Sequence, residues 1–575
     1  MTKTKKLIND PDDLIAELID GMVGAHPDIL RLEGDTGRAI VAVDGSRDGK
    51  VGIVVGGGSG HEPLFSGYVG RGLADACAVG NIFASPSPDQ CADAARSADG
   101  GAGVLFLYGN YTGDLMNFDM AAEALAHDGV TARSVLVTDD VASSATKDQR
   151  RGIAGDVFVF KIAGAAADLG RNMAAVERAA RHANARTASM GVALGPCSMP
   201  QTRTPNFQIG ADEMEIGMGI HGEPGIARVP LETADRVADR LLNPILDDLA
   251  LHDGDRVAVL VNGLGSTAML ELYLIHRRVR QVLAERGIII HSSRVGEYAT
   301  SLEMAGASVT VLHLDEDLTT LLDHPCRTVA LTVGETTTLP ARPRRPRTTR
   351  TVQAGVAQDR ATLKADGPLT PALFRRMMLA AADAIAADKD RLSQLDGAIG
   401  DGDHGVTMDM GLAAIRPVLA ADDDRTITEI CAAMSHGFLE AVGASAGPLY
   451  ASGFSAAGDA VADRLNLDAG AMAAWIAGLA SGIAKRGGAL PGEKTMIDAW
   501  HPAAAAALAV AKSAGSLRDV LDAAATAAGT GMLGTTDMIA TRGRAAKLGD
   551  RAKGHIDPGA ASAVTMLDAM SADAG

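Results

Sequence analysis

The chain has 575 residues, too many for a single hydrophobic core, and its length predicts roughly two to four domains. A formal charge of −18 argues against general binding to nucleic acids or anionic membranes. Aromatic residues make up only 3% of the chain, whereas glycine contributes 66 residues. This composition disfavours base-stacking surfaces and favours close-packed helices and glycine loops.

The cysteines are odd in number, far apart and without a C-x-x-C pair, which is typical of a reducing compartment. They are Cys77, Cys91, Cys197, Cys326 and Cys431. The N-terminal stretch MTKTKKLINDPDD has no apolar signal core, and no apolar run approaches the roughly 20 residues that span a bilayer. We therefore expect a cytoplasmic protein.

Short apolar runs alternate with helix-like segments over roughly the first 335 residues, which predicts an α/β half. The run VGIVVGGGSGHEP, from Val51, predicts a strand that ends in a glycine loop carrying His61. The run GVLFLYGNYTGD repeats this pattern and ends in Gly109, Asn110 and Asp114. Further strands are expected at Ser134–Val137, Arg256–Val261, Gly287–Ile290 and Ser308–Leu312, and helices at Ala174–Ala185 and Ala268–Arg286.

Regular periodicity is lost between Ala193 and Gly225, where the sequence includes GIHGEPG. A lone histidine is more often a surface or structural residue than a catalytic one. His221, however, is fixed between glycines beside Glu223, which makes it a candidate for chemistry.

Residues Leu339–Arg350, LPARPRRPRTTR, contain three prolines and five arginines and no apolar periodicity. This composition predicts a stiff, extended linker. A nucleic-acid or membrane patch is the alternative, but the run is short and lacks aromatic residues.

After Pro371 the sequence changes to long Ala-, Leu- and Met-rich stretches with helical spacing, which predicts an all-α half. The expected helices are Ala372–Asp388, Val406–Ala420, Thr426–Val442, Ala469–Arg486, Pro502–Ala514 and Ser516–Met532. Glycine-bearing loops that carry polar groups are expected at Val442–Tyr450, Pro491–Trp500 and Gly543–Ala560.

The stretch LDGAIGDGDHGVTMDMG, Leu395–Gly411, places Asp396, Asp401 and Asp403 within eight residues. At about 100° per residue, one helix could not bring the three carboxylates together, whereas a glycine-bearing loop could. Clustered carboxylates repel one another unless a cation neutralises them, and Mg²⁺ prefers oxygen ligands. From the spacing alone, a magnesium nucleotide site and an Asp-rich turn capping the next helix are equally acceptable.

Six motifs together resemble the fused, ATP-dependent dihydroxyacetone kinases over nearly the whole chain. They are GGGSGHEP, NYTGD, GIHGEPG, LDxxIGDGDHG, GEKTMIDA and GHxDPGA, in family order. The resemblance implies an α/β substrate domain at residues 1–338, a linker at 339–365 and a helical-barrel nucleotide domain at 366–575. It also implies a homodimer.

By this resemblance, His221 matches the histidine whose imidazole adds to the substrate carbonyl to form a hemiaminal. Such a bond would distinguish ketoses from polyols, which have no electrophilic carbon. Asp114 and His61 match the acid/base pair at the phosphate-accepting hydroxyl, and Gly58 and Ser85 match substrate contacts.

In the helical half, the resemblance makes Asp396, Asp401 and Asp403 the ligands of two Mg²⁺ ions that bridge the phosphates of ATP. It also assigns a set of residues to the nucleotide. These are His404, Ser445, Lys494, Arg544 and Asp557.

Three positions depart from the family pattern. The family usually reads KNYTGD, whereas this chain has Gly109 in place of the lysine. Loss of that lysine suggests a pocket for a larger ketose such as erythrulose; alternatively another cation, Arg203, fills the same volume. Ala446 replaces a serine and Glu493 replaces an aspartate. The resemblance therefore does not predict the side-chain contacts of these two nucleotide loops.

We therefore expect an ATP-dependent kinase that phosphorylates a terminal hydroxyl of a short ketose, acting on neither nucleic acid nor membrane. The two halves would have to come together for transfer, within one chain or across a dimer. One alternative is a phosphoenolpyruvate-system phosphotransferase that keeps ADP as a cofactor, which fusion of the halves disfavours. The other is a ketose-sensing regulator without turnover, which the complete aspartate trio disfavours.

Overall fold

The structure is a computed structural model that describes residues 3–45, 47–336, 363–365 and 367–573, apart from the side chain of Lys547. Contacts divide the chain into two compact units, Met1–Thr349 and Arg350–Gly575. The predicted linker Leu339–Arg350 lies outside the described residues.

The first unit contains a six-stranded sheet in the order β1-β2-β5-β3-β6-β7. Its strands are β1 (Leu30–Glu33), β2 (Ala39–Ala42), β3 (Gly52–Ser59), β5 (Ala76–Ile82), β6 (Val104–Gly109) and β7 (Ala132–Val137). Strands β5, β3, β6 and β7 are parallel to one another, and β2 pairs antiparallel with both β5 and β1 at one edge. All residues of β3 and β6 are buried, as expected for parallel strands covered on both faces.

A second six-stranded sheet has the order β10-β9-β8-β13-β11-β12 and is antiparallel except for the β11–β12 pair. Its strands are β8 (Thr187–Ala193), β9 (Glu213–Ile216), β10 (Ala227–Pro230), β11 (Arg256–Gly263), β12 (Ile289–Gly296) and β13 (Gly306–Leu314). A small third sheet joins β4 (Gly70–Arg71), β14 (Cys326–Thr328) and β15 (Thr332–Val333).

Helices surround these sheets and bury their apolar faces in separate core clusters. They are α1 (Leu14–Ala25), α2 (Pro88–Ala98), α3 (Thr112–His127), α4 (Asp156–Asp168), α5 (Met173–Ala185), α6 (Ala234–Leu249), α7 (Met269–Glu285) and α8 (Glu316–Asp323). The predicted α/β class of this half is confirmed.

Across residues 363–365 and 367–573, the second unit contains helices and no β-strand, so its predicted all-α class is also confirmed. Its α-helices are α9 (Pro371–Ile399), α10 (His404–Ala420), α11 (Ile427–Ala441), α12 (Ala446–Asp459), α13 (Ala469–Gly487), α14 (Ile497–Lys512), α15 (Leu517–Gly534) and α16 (Pro558–Asp573). Each helix packs against the next, and α16 packs against α9, which closes the helices into a ring. Leucine, methionine, alanine and two tryptophans fill its interior.

Three loop predictions were wrong in extent. Helices α12, α14 and α16 begin inside the segments expected to be loops, at Ala446, Ile497 and Pro558. Helix α9 continues beyond Asp388 to Ile399. Glycine and proline at these positions suggested breaks, but proline is tolerated in a first helical turn and tertiary packing outweighs the modest helix penalty of glycine.

The five cysteines are unpaired and buried. Among the described residues, no helix combines the length and apolar character needed to cross a bilayer.

The ring of helices predicts opposite effects for two glycine substitutions. A Cβ on Gly411 in α10 would lie 2.4 Å from the Phe438 ring, whereas a Cβ on Gly529 in α15 would meet nothing within 4 Å. Alanine gains about 0.5–1 kcal/mol of helix stability over glycine, but overpacking costs about 1–3 kcal/mol.

We therefore expect Gly411→Ala to lower the thermal unfolding temperature and Gly529→Ala to raise it slightly. Differential scanning calorimetry checks both changes. A higher unfolding temperature for both variants would show that the Phe438 ring moves aside without loss of stability. That result would contradict the close packing.

Candidate active site

The parallel strands of the first sheet bring several candidate residues to one edge. Strands β5, β3 and β6 are neighbours, and their carboxyl ends are followed by Ser85, His61 and Asp114 respectively. Ligand sites in open α/β sheets commonly form at such carboxyl ends. The sheet order therefore explains why residues from separate motifs lie in the same region.

His221 is buried and held by a neighbouring carboxylate. Its Nδ1 lies 3.0 Å from Oε1 of Glu223, whose other oxygen accepts the His221 backbone N–H at 3.0 Å. Because a carboxylate only accepts hydrogen bonds, Nδ1 carries the ring proton in the neutral imidazole. The lone pair is then on Nε2, the nitrogen available for nucleophilic attack.

Glu223 is in turn supported by Arg151, whose Nη1 lies 3.8 Å from Glu223 Oε2. Arg151 also donates to Asp140 Oδ2 at 2.7 and 2.9 Å and to the carbonyl of Gly217 at 3.0 Å. Burial opposes the charge of Arg151, but Asp140 and Glu223 outweigh burial and hold its pKa above the ordinary value. The result is a buried chain of alternating charges that ends at His221.

His61 lies beside His221, with ring centroids 4.6 Å apart and the rings nearly perpendicular. It stacks on Phe83 at 4.9 Å, and its Nδ1 lies 2.8 Å from the carbonyl oxygen of Thr300. A carbonyl only accepts, so Nδ1 is again protonated and Nε2 is the acceptor nitrogen. Both histidines therefore have the tautomer required of a nucleophile or base.

The two proposed substrate contacts lie in closely packed backbone. A Cβ on Gly58 would lie 2.7 Å from the amide nitrogen of Ala84 and 2.9 Å from Phe83 Cα, so only glycine fits there. Ser85 follows directly after Ala84 and is buried. Asp114 is buried in the first turn of α3.

Gly109, where the resemblance leads us to expect a lysine, does not border open space. A Cβ at this position would lie 3.0 Å from the ring of Tyr111 and 3.3 Å from the carbonyl oxygen of Gly152. The Tyr111 ring also meets His221 at a centroid distance of 4.7 Å. Tyr111 therefore occupies the space next to Gly109, so loss of the lysine alone does not enlarge the pocket there.

In the second unit, Asp396, Asp401 and Asp403 converge as predicted, with one ligand oxygen of each within 4.8 Å of the others. Asp396 lies in the last turn of α9, Asp401 in the connecting loop and Asp403 directly before α10. Asp396 Oδ2 accepts the backbone N–H groups of Gly402, Asp403 and His404 at 2.9, 3.0 and 3.2 Å. The capping and metal interpretations are thus compatible, because Asp396 holds the start of α10 and the trio still converges.

Three buried carboxylates are a suitable donor set for a hard, oxygen-preferring cation such as Mg²⁺. Arg544 contacts Asp401 and lies 3.8 Å from Asp403, so its guanidinium compensates part of this charge. A metal ion bound by all three aspartates would take over that role from Arg544.

The remaining nucleotide candidates occupy related positions in the ring of helices. Contacts join the C-terminus of α9 and the N-termini of α10, α12, α14 and α16 at one end of the ring: His404 contacts Asp396 and Ser562, Trp500 contacts Tyr450, and Lys494 contacts His555. The candidates next to these N-termini are His404, Ser445, Lys494 and Asp557. Helix N-termini attract phosphate groups through their exposed N–H groups and dipoles.

Three of these side chains form hydrogen bonds with nearby loops and helices of the second unit. His404 Nε2 lies 2.9 Å from Ser562 Oγ in α16, and burial lowers the pKa of His404. Lys494 donates to the carbonyls of Thr535 and His555, which fixes the loop before α14. Asp557 caps α16 by accepting the Ala560 N–H at 2.7 Å, and burial raises the pKa of Asp557 to about 7.

Family models match both units. A Dak1 domain matches residues 20–330, and a DAK2 domain matches residues 398–572. The chain belongs to the dihydroxyacetone kinase family. The L-erythrulose 1-kinase of Mycolicibacterium smegmatis is 36% identical over 98% of this chain and 98% of its own length. The D-erythrulose kinase of the same organism is 36% identical over 97% of this chain and 96% of its own length.

A solved structure supports the same fold for this dihydroxyacetone kinase family member. The crystal structure of the C. freundii dihydroxyacetone kinase in complex with AMP-PNP and Mg²⁺ is 31% identical, covers 99% of each chain and gives a TM-score of 0.52. The resemblance drawn from the six motifs is therefore confirmed at the level of family and fold.

Sequence reasoning missed several residues of the site. Arg151 and Asp140 support Glu223, and Thr300 orients His61, yet none stands in a motif that we singled out. The acidic pair Asp139-Asp140 directly after the β7 run was the one available signal. Their role depends on contacts between distant parts of the chain, which spacing does not reveal.

The buried Asp557 predicts a pH effect on the magnesium-free protein. Its folded pKa of about 7 lies above the ordinary value of 3.8, so the folded state binds this proton more tightly than the unfolded state. The stability that this proton contributes is present below about pH 4 and is lost as the pH rises to 7.

We expect Asp557→Asn, which cannot ionise, to unfold at a progressively higher temperature than the parent protein between pH 5 and pH 8. Thermal unfolding in EDTA measures this difference, with Asp550→Asn, whose side chain is 83% exposed, as the control. A temperature difference independent of pH would contradict the raised pKa.

Proposed function

We propose that this protein is an ATP-dependent kinase that phosphorylates a terminal hydroxyl of a short ketose. The convergence of three buried aspartates, in a chain whose other unit holds the His61–His221 pair, is the observation that carries this proposal. The first cluster suits a metal–phosphate complex and the second suits a carbonyl substrate. Kinase activity requires both sets of groups in one enzyme.

Asp396, Asp401 and Asp403 are proposed to hold Mg²⁺, which when bound would neutralise charge on the phosphates of ATP. The helix N-termini at the same end of the ring supply N–H groups to the phosphates. Lys494 acts indirectly, because its ammonium group is bound by two backbone carbonyls and shapes the loop. Arg544 is proposed to pair with phosphate oxygens once the metal compensates Asp401.

His221 is proposed to bind the ketose covalently. Nε2 attacks the carbonyl carbon as the π bond of the carbonyl breaks, and the oxygen takes up one proton from solvent to become a hydroxyl. The positive charge that develops on the imidazole is compensated by the carboxylate of Glu223, which keeps accepting the hydrogen bond of Nδ1–H. Glu223 and Arg151 thus fix the ring orientation and compensate the charge of the adduct.

Asp114, aided by His61, is proposed to accept the proton of the hydroxyl that attacks the γ-phosphate. His61 Nε2 is the basic nitrogen because Nδ1 donates to Thr300. Gly58 and Ser85 would contact the substrate beside these bases. Positioning the hydroxyl and removing its proton together account for much of the rate enhancement expected of a kinase.

The substrate is proposed to be erythrulose or dihydroxyacetone. The two M. smegmatis relatives are equally identical to this chain, although one is named for L-erythrulose and the other for D-erythrulose. Overall identity therefore does not select an enantiomer. A panel of dihydroxyacetone, D-erythrulose, L-erythrulose and glyceraldehyde with measurement of ADP release would identify the substrate.

The same assay separates the proposal from its alternatives. A kinase consumes ATP only when ketose is added, a phosphoenolpyruvate-system enzyme would not turn over ATP, and a sensor would bind ketose without consuming any. This chain matches two erythrulose kinases over nearly their whole length, which supports the kinase over the phosphoenolpyruvate-system enzyme and the sensor. Absence of ketose-dependent ATP consumption across the panel would reject the kinase.

The proposed metal-binding role predicts a loss of turnover without a loss of ketose binding. Asp401→Asn combined with Asp403→Asn should reduce kcat by roughly 10³-fold or more, because charge on the transferring phosphoryl group loses its compensation. Ketose binding, measured by calorimetry, should stay within about threefold of the parent value because these aspartates lie outside the proposed ketose site. The exposed Asp422→Asn is the control. Near-normal turnover of the double variant would exclude these aspartates as essential ligands.

The covalent role of His221 predicts a change in specificity. His221→Ala should lower kcat/KM for dihydroxyacetone far more than for glycerol, reducing their ratio by roughly 100-fold. His252→Ala is the control because that side chain is 84% exposed. An unchanged ratio would reject the tether, even if both activities fell.

A further inference from the structure

The segment before α1, residues 3–9, alternates between exposed and partly buried side chains. Lys5 and Leu7 are exposed, whereas Thr4 and Lys6 are partly buried. Alternation with a period of two residues is typical of an extended chain that lies against a surface. The Lys6 side chain is only 13% exposed, and lysine is seldom buried to this extent unless it is paired. The segment is therefore attached through specific contacts.

Thr4 connects this segment to the loop formed by residues 197–206. The Thr4 N–H donates to the carbonyl of Arg203 at 2.8 Å, and the Thr4 hydroxyl lies 2.8 Å from the hydroxyl of Ser198. Ser198 itself is buried. Thr4 thus holds the loop both near its start and near its end.

Asn206, the last residue of this loop, connects the loop to His221. Nδ2 of Asn206 donates to the His221 carbonyl at 3.1 Å. Asn206 also closes the base of the loop, because its N–H donates to the Cys197 carbonyl at 2.9 Å and its Oδ1 accepts the Cys197 N–H at 3.2 Å. A Cβ on Gly222 would lie 2.1 Å from Asn206 Nδ2, so glycine is required beside this contact. The backbone of His221 is therefore held at its N–H by Glu223 and at its carbonyl by Asn206.

Lys6 is connected to the second histidine through Glu303. Lys6 donates to Glu303 Oε2, and Glu303 Oε1 accepts the N–H of Ser198 in the loop at 3.1 Å. Glu303 comes three residues after Thr300, whose carbonyl lies 2.8 Å from His61 Nδ1 and whose N–H donates to the His61 carbonyl at 3.1 Å. One ion pair therefore joins the two stretches of chain that hold the two histidines.

We infer that Thr4, Lys6 and Asn206 are positioning residues of the ketose site, which hold the His221 imidazole where it can add to the substrate carbonyl. The inference rests on the proposed covalent binding of a ketose by His221. Addition requires Nε2 to approach the carbonyl carbon from a defined direction, and a misplacement of about 1 Å can lower a rate about 100-fold. The segment before α1 thus acts on the reaction through the loop.

The test makes three substitutions in the full chain. Lys6→Ala removes the ion pair with Glu303, and Thr4→Val removes the hydroxyl that contacts the loop. Asn206→Asp keeps the size of the side chain but replaces the N–H donor by a carboxylate oxygen, which repels the His221 carbonyl oxygen.

Matched controls make the same changes at exposed positions. They are Lys5→Ala and Asn243→Asp. Lys6→Arg can keep the ion pair with Glu303, so this conservative variant should behave like the parent.

The readout is the state of the substrate carbonyl carbon. Dihydroxyacetone, D-erythrulose and L-erythrulose, each labelled with ¹³C at the carbonyl carbon, are added to each protein, and NMR distinguishes a bound ketone from the tetrahedral carbon of the adduct. We expect Lys6→Ala and Thr4→Val to lower both the ratio of adduct to bound ketone and the kcat/KM for ketose by about 3- to 10-fold. Asn206→Asp should lower both by about 10- to 100-fold.

Glycerol separates positioning from a general structural role. Because glycerol has no carbonyl and forms no adduct, kcat/KM for glycerol should stay within about threefold in all three variants. A parallel fall for ketose and glycerol would overturn the inference, as would an unchanged adduct ratio or equal effects of Lys5→Ala and Lys6→Ala. Thermal unfolding is measured for each variant, and if Asn206→Asp does not fold, Lys6→Ala and Thr4→Val decide.

Failure of this inference is distinguishable from failure of the proposed function. If the parent consumes ATP with a ketose but shows no tetrahedral carbon, the covalent tether and this inference fail while the kinase activity stands. If the parent forms the adduct but consumes no ATP, the kinase function fails, and the adduct ratios of the variants still decide the inference.

Discussion

A carboxylate removed from water must be paired, hydrogen-bonded or protonated, and both clusters of this protein are organised by that requirement. Glu223 and Asp140 meet it through Arg151, and Asp396 meets it through three backbone N–H groups. Asp401 meets it through Arg544, which a metal ion would replace. The group that compensates the negative charge differs from one carboxylate to the next. The proposed roles of these residues differ accordingly.

The two units gather their polar groups by different means. In the first, the carboxyl ends of neighbouring parallel strands bring His61, Ser85 and Asp114 to one edge. In the second, alternating helices place the C-terminus of α9 and four helix N-termini at one end of a ring. A strand edge suits a small polar substrate, and a group of helix N-termini suits phosphate.

Tyr111 limits the space at the position where the family usually has a lysine. Gly109 suggested a larger pocket because a lysine side chain is missing, but the adjacent Tyr111 ring fills that position. On its other side the backbone of Gly109 is in close contact with Gly152, where a Cβ would lie 2.5 Å from Gly109 Cα.

The spacing of the aspartate trio allowed a helix cap as readily as a metal site, but the sequence by itself determined the fold class of both halves and the family. These follow from local periodicity and from motifs that are contiguous in the chain. Helices α12 and α16 were placed only in part, because their first turns contain glycine and proline that also mark loops. The local sequence pattern does not show the tertiary packing, which stabilises these helices despite the glycine and proline.

Only the tertiary structure decided which nitrogen of each histidine carries the proton and that Arg151 supports Glu223. Thr300 and His61 are separated by 239 residues along the chain, and their contact exists only because the loops that follow β3 and β12 meet in the folded chain. Hydrogen bonding and desolvation act over a few ångströms in space, whatever the separation in sequence. A linear pattern can therefore name the reactive groups, but the folded chain determines their chemical state.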